Sequence, residues 1–206
     1  MRKKAFGVGT VLILAAFVLG RLSAQSPDTG PAPSCFMCSS ELISAEELAA
    51  YEQVAIDTGL TDQQVRNLDI GKVNVAVALA RRGSLGAPRP LSVAEHDLVT
   101  EVYVVLSGSG TNVTGPDLVD KQRRAPEEHR SVQFLNGPGN NAAAIRNGTT
   151  HELEAGDVFV IPAGTGHQFT KIDDHITYLM IRVDPDKVVS LMDAAASQAY
   201  LIENGQ

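Results

Sequence analysis

Two short segments of this 206-residue chain carry side chains that could hold a metal ion. One is His96-Asp97-Leu98-Val99-Thr100-Glu101, running on to Gly108; the other is Gly156 through Pro162-Ala163-Gly164-Thr165-Gly166-His167. Two imidazoles and one carboxylate occupy one face of an octahedral ion and leave other positions to water, oxygen or substrate, the arrangement of non-haem Fe(II) sites. Fe(II) is therefore the favoured ion, with Mn, Ni, Co and Zn also compatible with this nitrogen and oxygen set.

For these residues to meet, the backbone must bend in two places. Glu101-Val102-Tyr103-Val104-Val105-Leu106 is a β-branched and aromatic run ended by Ser107-Gly108-Ser109-Gly110, which reads as a strand and a turn. His96 and Glu101 have opposite parity, so on one straight strand they would face opposite sides. They share a cavity only if His96 ends one strand and Glu101 opens the next. The second segment repeats this plan. Val158-Phe159-Val160-Ile161 is a buried-strand signal closed by Pro162, and Gly164 and Gly166 allow a tight turn that delivers His167 and Phe169 at the start of another strand. Tyr103 shares parity with Glu101 and is the candidate cavity-facing catalytic group.

The two segments resemble the paired motifs of the cupin superfamily. The first motif of that family reads His-x-His, three or four residues, Glu, six residues, Gly; the second reads Gly, five residues, Pro-x-Gly, two residues, His, three residues, Asn. His96, Glu101 and Gly108 match the first motif, and Gly156, Pro162, Gly164 and His167 match the second. Ala94 stands where the first His is expected and Lys171 where the Asn is expected. The resemblance implies an all-β fold, a single cupin-type β-barrel or double-stranded β-helix, with metal ligands His96, Glu101 and His167. Some cupins use only two His and a Glu, including an iron epoxidase, so the Ala94 departure implies a coordination position open to water or an exogenous ligand. Lys171 is expected to be a solvated side chain; pointing inward, it would repel a dication or bind a substrate carboxylate. A competing expectation is a barrel whose polar residues are remnants, with both imidazoles satisfied by neighbouring carbonyls.

The remainder of the chain reads as supports and extensions. Arg2-Lys3-Lys4, the apolar stretch Ala5 to Gly20 and the small residues Leu22-Ser23-Ala24 read as a signal peptide over 1–24, which places the protein in the periplasm or outside the cell. An uncleaved N-terminal anchor is the alternative, and would be its contact with a membrane. Cleavage removes four basic residues and no acid, moving the formal charge from −7 to −11, an acidic balance that disfavours nucleic acid. Residues 25–40 read as a Pro-rich linker ending in Cys35 and Cys38. That pair could be a redox dithiol, half a zinc site or a local disulfide, and an oxidising compartment favours the disulfide.

Residues 41–70 read as a helical extension: Ser44 to Glu47 and Thr61 to Gln64 both have the Ser/Thr-x-x-Glu/Gln capping pattern. The barrel is expected over 71–185, with alternation beginning at Val73, Val75, Val77 and Leu79. A mobile loop is expected within Gly110 to Ala155, and a C-terminal helix over 186–206 carrying Val188, Val189, Leu191, Met192 and Ala195. His129, His151 and His175 lie off the motifs and are read as ordinary histidines. Asn112-Val113-Thr114 and Asn147-Gly148-Thr149 are acceptor sequons if the source glycosylates. Three functions are compatible with this reading: a metal-dependent oxygenase, isomerase or lyase acting on a small molecule, a non-catalytic small-molecule-binding protein, and a structural cupin; a homodimer is compatible with each.

Overall fold

Alternation of small or apolar with outward-facing residues produces long paired strands here. The computed structural model describes residues 30–124 and 129–205. In chain order the elements are α1 (Ala45–Thr58), β1 (Asp62–Asp69), β2 (Asn74–Leu85), β3 (Val93–His96), β4 (Thr100–Gly115), β5 (Leu118–Val119), β6 (Gln122–Arg123), a π-helical turn (Val132–Asn136), β7 (Gly139–Ala142), β8 (Ala144–Ile145), β9 (Thr149–Glu154), β10 (Val158–Ile161), β11 (Gly166–Asp184) and α2 (Ala194–Asn204). All pairings are antiparallel. The 16-residue β4 and the 19-residue β11 run beside each other from Gly166↔Gly115 to Val183↔Thr100. Register shifts within that pairing let both strands bend and pass from one face of the barrel to the other. The first face continues through β2 and β1, with β10 on β4; the second is built from β3, β7, β6 and β9.

The core follows from strand parity. Glu101, Tyr103 and Val105 of β4 are buried in the barrel, as are Ile176, Tyr178, Met180 and Arg182 of β11 and Ala78 and Ala80 of β2. The opposite parity of β2 and β11 supplies Leu79 and Leu179, which pack with Tyr51, Val65, Leu48, Tyr200 and Leu201 beneath the two helices. Tyr51 and Tyr200 stack with ring centroids 5.4 Å apart, and the Tyr51 hydroxyl lies 2.8 Å from Ser197 Oγ.

Ser44 caps α1 by accepting from Glu47 N–H at 3.1 Å, as its spacing predicts. The second expected helix does not form: Asp62–Asp69 is a strand, so the helical extension ends at Thr58 and the barrel begins at β1 rather than near residue 71. A capping contact is worth about 1 kcal/mol, whereas strand pairing with β2 also satisfies the buried polar side chains of this segment. Gln63 Nε2 donates to Tyr51 O at 2.8 Å, Arg66 pairs with Glu41 and Glu47, and Asn67 donates to Val189 O and Ser190 O. Such partners lie far away in sequence.

Two further expectations change. The tail is not helical from residue 186: Asp184 accepts from Val188 N–H and Val189 N–H, Met192 pairs with Asn67 in an extended bridge, and α2 starts only after Asp193 caps Ala196 N–H. The expected loop between the motifs is largely β4, β9 and short strands, with residues 125–128 outside the described set. Cys35 and Cys38 are joined by a disulfide. The described residues from Pro33 onward form one compact unit; the expected signal peptide and residues 25–29 of the linker lie outside the described residues. Among the described residues no helix is long and apolar enough to cross a membrane.

Gly108 shows how tightly β4 and β11 approach. Its φ is +73°, and a Cβ there would sit 1.9 Å from the carbonyl oxygen of His175. Gly108→Ala should therefore lower unfolding free energy by at least about 2 kcal/mol, measured by urea denaturation; an unchanged midpoint would contradict this account of the bend.

Candidate metal centre

Each candidate ligand stands at a strand end, as the bend in the sequence requires. His96 is the last residue of β3, Glu101 the second of β4 and His167 the second of β11. The turns that deliver them are tied together: Gly164 N–H donates to His96 O at 2.7 Å and Ala163 N–H to Thr100 Oγ1 at 3.2 Å. Gly164 has φ +78°, a conformation that favours glycine, and Thr165 N–H closes the turn onto Pro162 O at 3.1 Å. Strand pairing places Ala94 opposite His167 and Arg182 opposite Glu101.

The three ligand atoms lie within 4.8 Å of one another. His96 Nε2 is 3.4 Å from Glu101 Oε1, and His167 Nε2 is 3.4 Å from Glu101 Oε2. All three residues are buried, with 3%, 1% and 7% exposure for His96, Glu101 and His167. Burial pushes the His96 pKa down to about 3 and lowers that of His167, so both rings are neutral at pH 7. Burial alone would raise Glu101, but the neighbouring imidazoles and the Arg182 guanidinium outweigh it and hold the carboxyl below its ordinary range. Neutral imidazoles beside an ionised carboxylate are the protonation states that metal ligation needs.

The surrounding groups set orientation and charge. His167 Nδ1 lies 3.3 Å from Thr165 O; donating there, it leaves the Nε2 lone pair facing the centre. Arg124, also buried, places Nη1 3.3 Å from His96 Nδ1. A guanidinium only donates, so Nδ1 accepts and the ring proton sits on Nε2; ligation through Nε2 as a neutral imidazole would require that proton to move to Nδ1 and Arg124 to give up this contact. Asn136 Nδ2 stands 3.2 Å from His96 Nε2 and 3.3 Å from Glu101 Oε1, while its Oδ1 is buried without a hydrogen-bond partner. Turned over, the amide would bring that oxygen to His96 Nε2 but give up the N–H donation to Glu101 Oε1. The donor set fits a first-row divalent ion. Arg182, 1% exposed, is the competing cation: its Nε donates to Glu101 Oε1 at 3.3 Å, its Nη1 to Gln64 Oε1 at 3.0 Å, and its Nη2 to Asp62.

Tyr103 is where its parity puts it. Its hydroxyl donates to Glu101 Oε2 at 3.1 Å, and burial raises its pKa well above the ordinary value, so it remains a phenol. Ala94, Tyr103 and His167 line a cavity of about 460 Å³. Lys171 is exposed and paired with Asp173. His151 contacts Thr114 Oγ1 at 3.0 Å, His175 contacts Ser107 Oγ at 3.2 Å and His129 contacts Ser131, all outside the cluster. Sequence reading missed Arg182, Arg124 and Asn136. An Arg closing the inward series Ile176, Tyr178, Met180 was the available signal for the first; the others arrive through irregular backbone.

A family model of AraC-like ligand-binding domains matches residues 145–205, which include the second motif and β11. Both motifs converge in one double-stranded barrel. The fold is of the cupin type. Structures similar to this chain include a cupin protein from Bacteroides fragilis (21% identity, 57% of this chain and 72% of that one, TM-score 0.33). Others are an RmlC-like cupin with a double-stranded β-helix fold from Methanocaldococcus jannaschii (8%, 74% and 96%, 0.37) and a DMSP lyase from Ruegeria pomeroyi (16%, 57% and 42%, 0.33). No functionally curated protein matches the chain.

Removing Arg182 would strand both Glu101 and Asp62. Arg182→Met should cost about 3–5 kcal/mol in urea denaturation of metal-free protein, and a loss below about 1 kcal/mol would show that the pair is not buried. Acid should act through the imidazoles. With its native pKa depressed to about 3 from 6.5, His96 contributes stability that is present above pH 6.5 and is lost as pH falls toward 3, because the unfolded chain takes up the proton first. The slope is about 1.4 kcal/mol per pH unit per proton. Metal-free His96→Gln should lose this share of the slope; equal slopes in variant and wild type would refute it.

Proposed function

We propose that this cupin is an exported protein that binds one divalent metal through His96, Glu101 and His167 and acts on a small molecule by oxygenation, isomerisation or elimination. The supporting observation is convergence: three buried ligand groups from three strands, two neutral imidazoles and an ionised carboxylate, beside a cavity large enough for a small molecule. Fe(II) is the favoured ion, and Mn, Ni, Co and Zn share the donor preference. When bound, the metal would supply Lewis acidity and a site for exogenous oxygen donors. Ala94, opposite His167, leaves space where the family pattern has an imidazole, so a coordination position faces the cavity. Tyr103 donates its phenol proton to Glu101 beside the cavity, which leaves its oxygen lone pair to accept from a bound ligand. Export rests on the basic, apolar and small-residue pattern of residues 1–24 and agrees with the Cys35–Cys38 disulfide.

One contact favours a second reading, a cupin that binds its ligand without metal. The Arg182 guanidinium already neutralises Glu101, which removes the need for a cation. Metal content separates the two. Untagged protein reconstituted anaerobically with Fe(II), Mn(II), Ni(II), Co(II) or Zn(II) should retain about one ion per chain by plasma mass spectrometry, and His167→Ala should retain less than a tenth of that while keeping its far-ultraviolet dichroism, a tenfold loss being the effect of about 1.4 kcal/mol. Wild-type protein that retains none of the five ions would establish the second reading.

A further inference from the structure

Arg82 is a charge without a counter-charge. It continues the inward series Ala76, Ala78, Ala80 of β2, and its side chain lines the same cavity as Tyr103 and His167. Nε donates to the Tyr178 hydroxyl at 3.1 Å and the guanidinium carbon lies 5.3 Å from the centre of the Phe169 ring. These two contacts hold the plane of the group fixed. Among the described residues no carboxylate pairs with it. Asp62, which acts on it across the wall, already gives an oxygen to Arg182. By contrast, the neighbouring cavity residue Arg81 has Glu52 at 3.6 Å.

A half-buried guanidinium with its Nε–H tied down and an aromatic ring 5.3 Å away keeps both Nη groups to donate as a fork. Such a fork matches a carboxylate in two-point geometry. Phe169, Leu85 and Ile172 supply apolar wall around it, and Arg89 adds positive charge at the cavity lining. We infer that this cavity binds a small organic carboxylate, its carboxylate on the Arg82 fork and its apolar part between the fork and the His167 side of the pocket. This names the ligand class of the site proposed above and rests on that reading only for what happens to the ligand, not for its binding.

The test uses benzoate and hexanoate as probes, with benzamide and hexanamide as uncharged controls, titrated calorimetrically into metal-free and metal-loaded full-length protein. The carboxylates should bind both forms and the amides at least tenfold more weakly. Arg82→Gln should weaken carboxylate binding at least tenfold with metal content unchanged. Arg82→Lys, which keeps the charge and removes the fork, should fall between, and it keeps the test valid if the Gln variant does not fold. Equal binding of acid and amide, carboxylate binding unaffected by either variant, or tighter binding of inorganic phosphate than of benzoate would each overturn the assignment. Metal content measured on the same samples reports separately on the metal reading, since carboxylate binding to metal-free protein stands whether or not an ion is held.

Discussion

An ionised carboxylate inside a β-barrel is the constraint around which this protein is organised. Glu101 is 1% exposed, and an isolated charge so placed would cost several kcal/mol even after relaxation. Its two oxygens are met from every side: Arg182 and Asn136 on Oε1, Tyr103 on Oε2, and an imidazole opposite each. The charge of Arg182 is in turn distributed onto Asp62 and Gln64, so the electrostatic demand of one side chain extends to β1. The departure of β1 from its helical propensity belongs to this network as much as to its ladder with β2.

Space is controlled by equally specific choices. Along β2 the inward positions are alanines until Arg82, and opposite His167 the inward residue is again alanine. Aromatic side chains gather in one stack, where Tyr103 and Tyr178 approach to 4.3 Å between centroids and Phe169 lies parallel to Tyr103. The barrel is therefore packed on the side that must hold Glu101 rigid and hollow on the side where His167 is approached. Rigid support on one flank and free volume on the other is the division of labour that a binding site on strands requires.

What was legible in the sequence depended on how local its cause was. The bend between His96 and Glu101, the return of His167 through Gly164, and the inward parity of Tyr103 follow from short-range backbone rules and were read correctly, while the cupin-type barrel was implied by the resemblance of the two motifs. The cap at Ser44 is equally local. Thr61 to Gln64 carries nearly the same pattern and misleads, because partners supplied by Tyr51, Glu47 and Val189 decide the outcome from a distance. The tail after Asp186 misleads for the same reason, its backbone being captured by Asp184 and Asn67 before a helix can start. Arg124 and Asn136 had no periodic signal at all, since neither sits on a regular strand. Arg82 and Arg182 did have one, a charged residue ending an inward apolar series, and such breaks in alternation are where chemistry should be sought.

The pairing of Glu101 with Arg182 spans 81 residues, and His167 also belongs to the final strand. A nascent or partly folded chain lacking β11 thus contains a carboxylate and one imidazole but no enclosed site, and its β2 and β4 have no neighbour between them. Closure of the barrel and completion of the donor set are one event in time. An ion met earlier would find only two loosely held ligands, so any selectivity among metals would be exercised by the finished barrel rather than by the chain that becomes it.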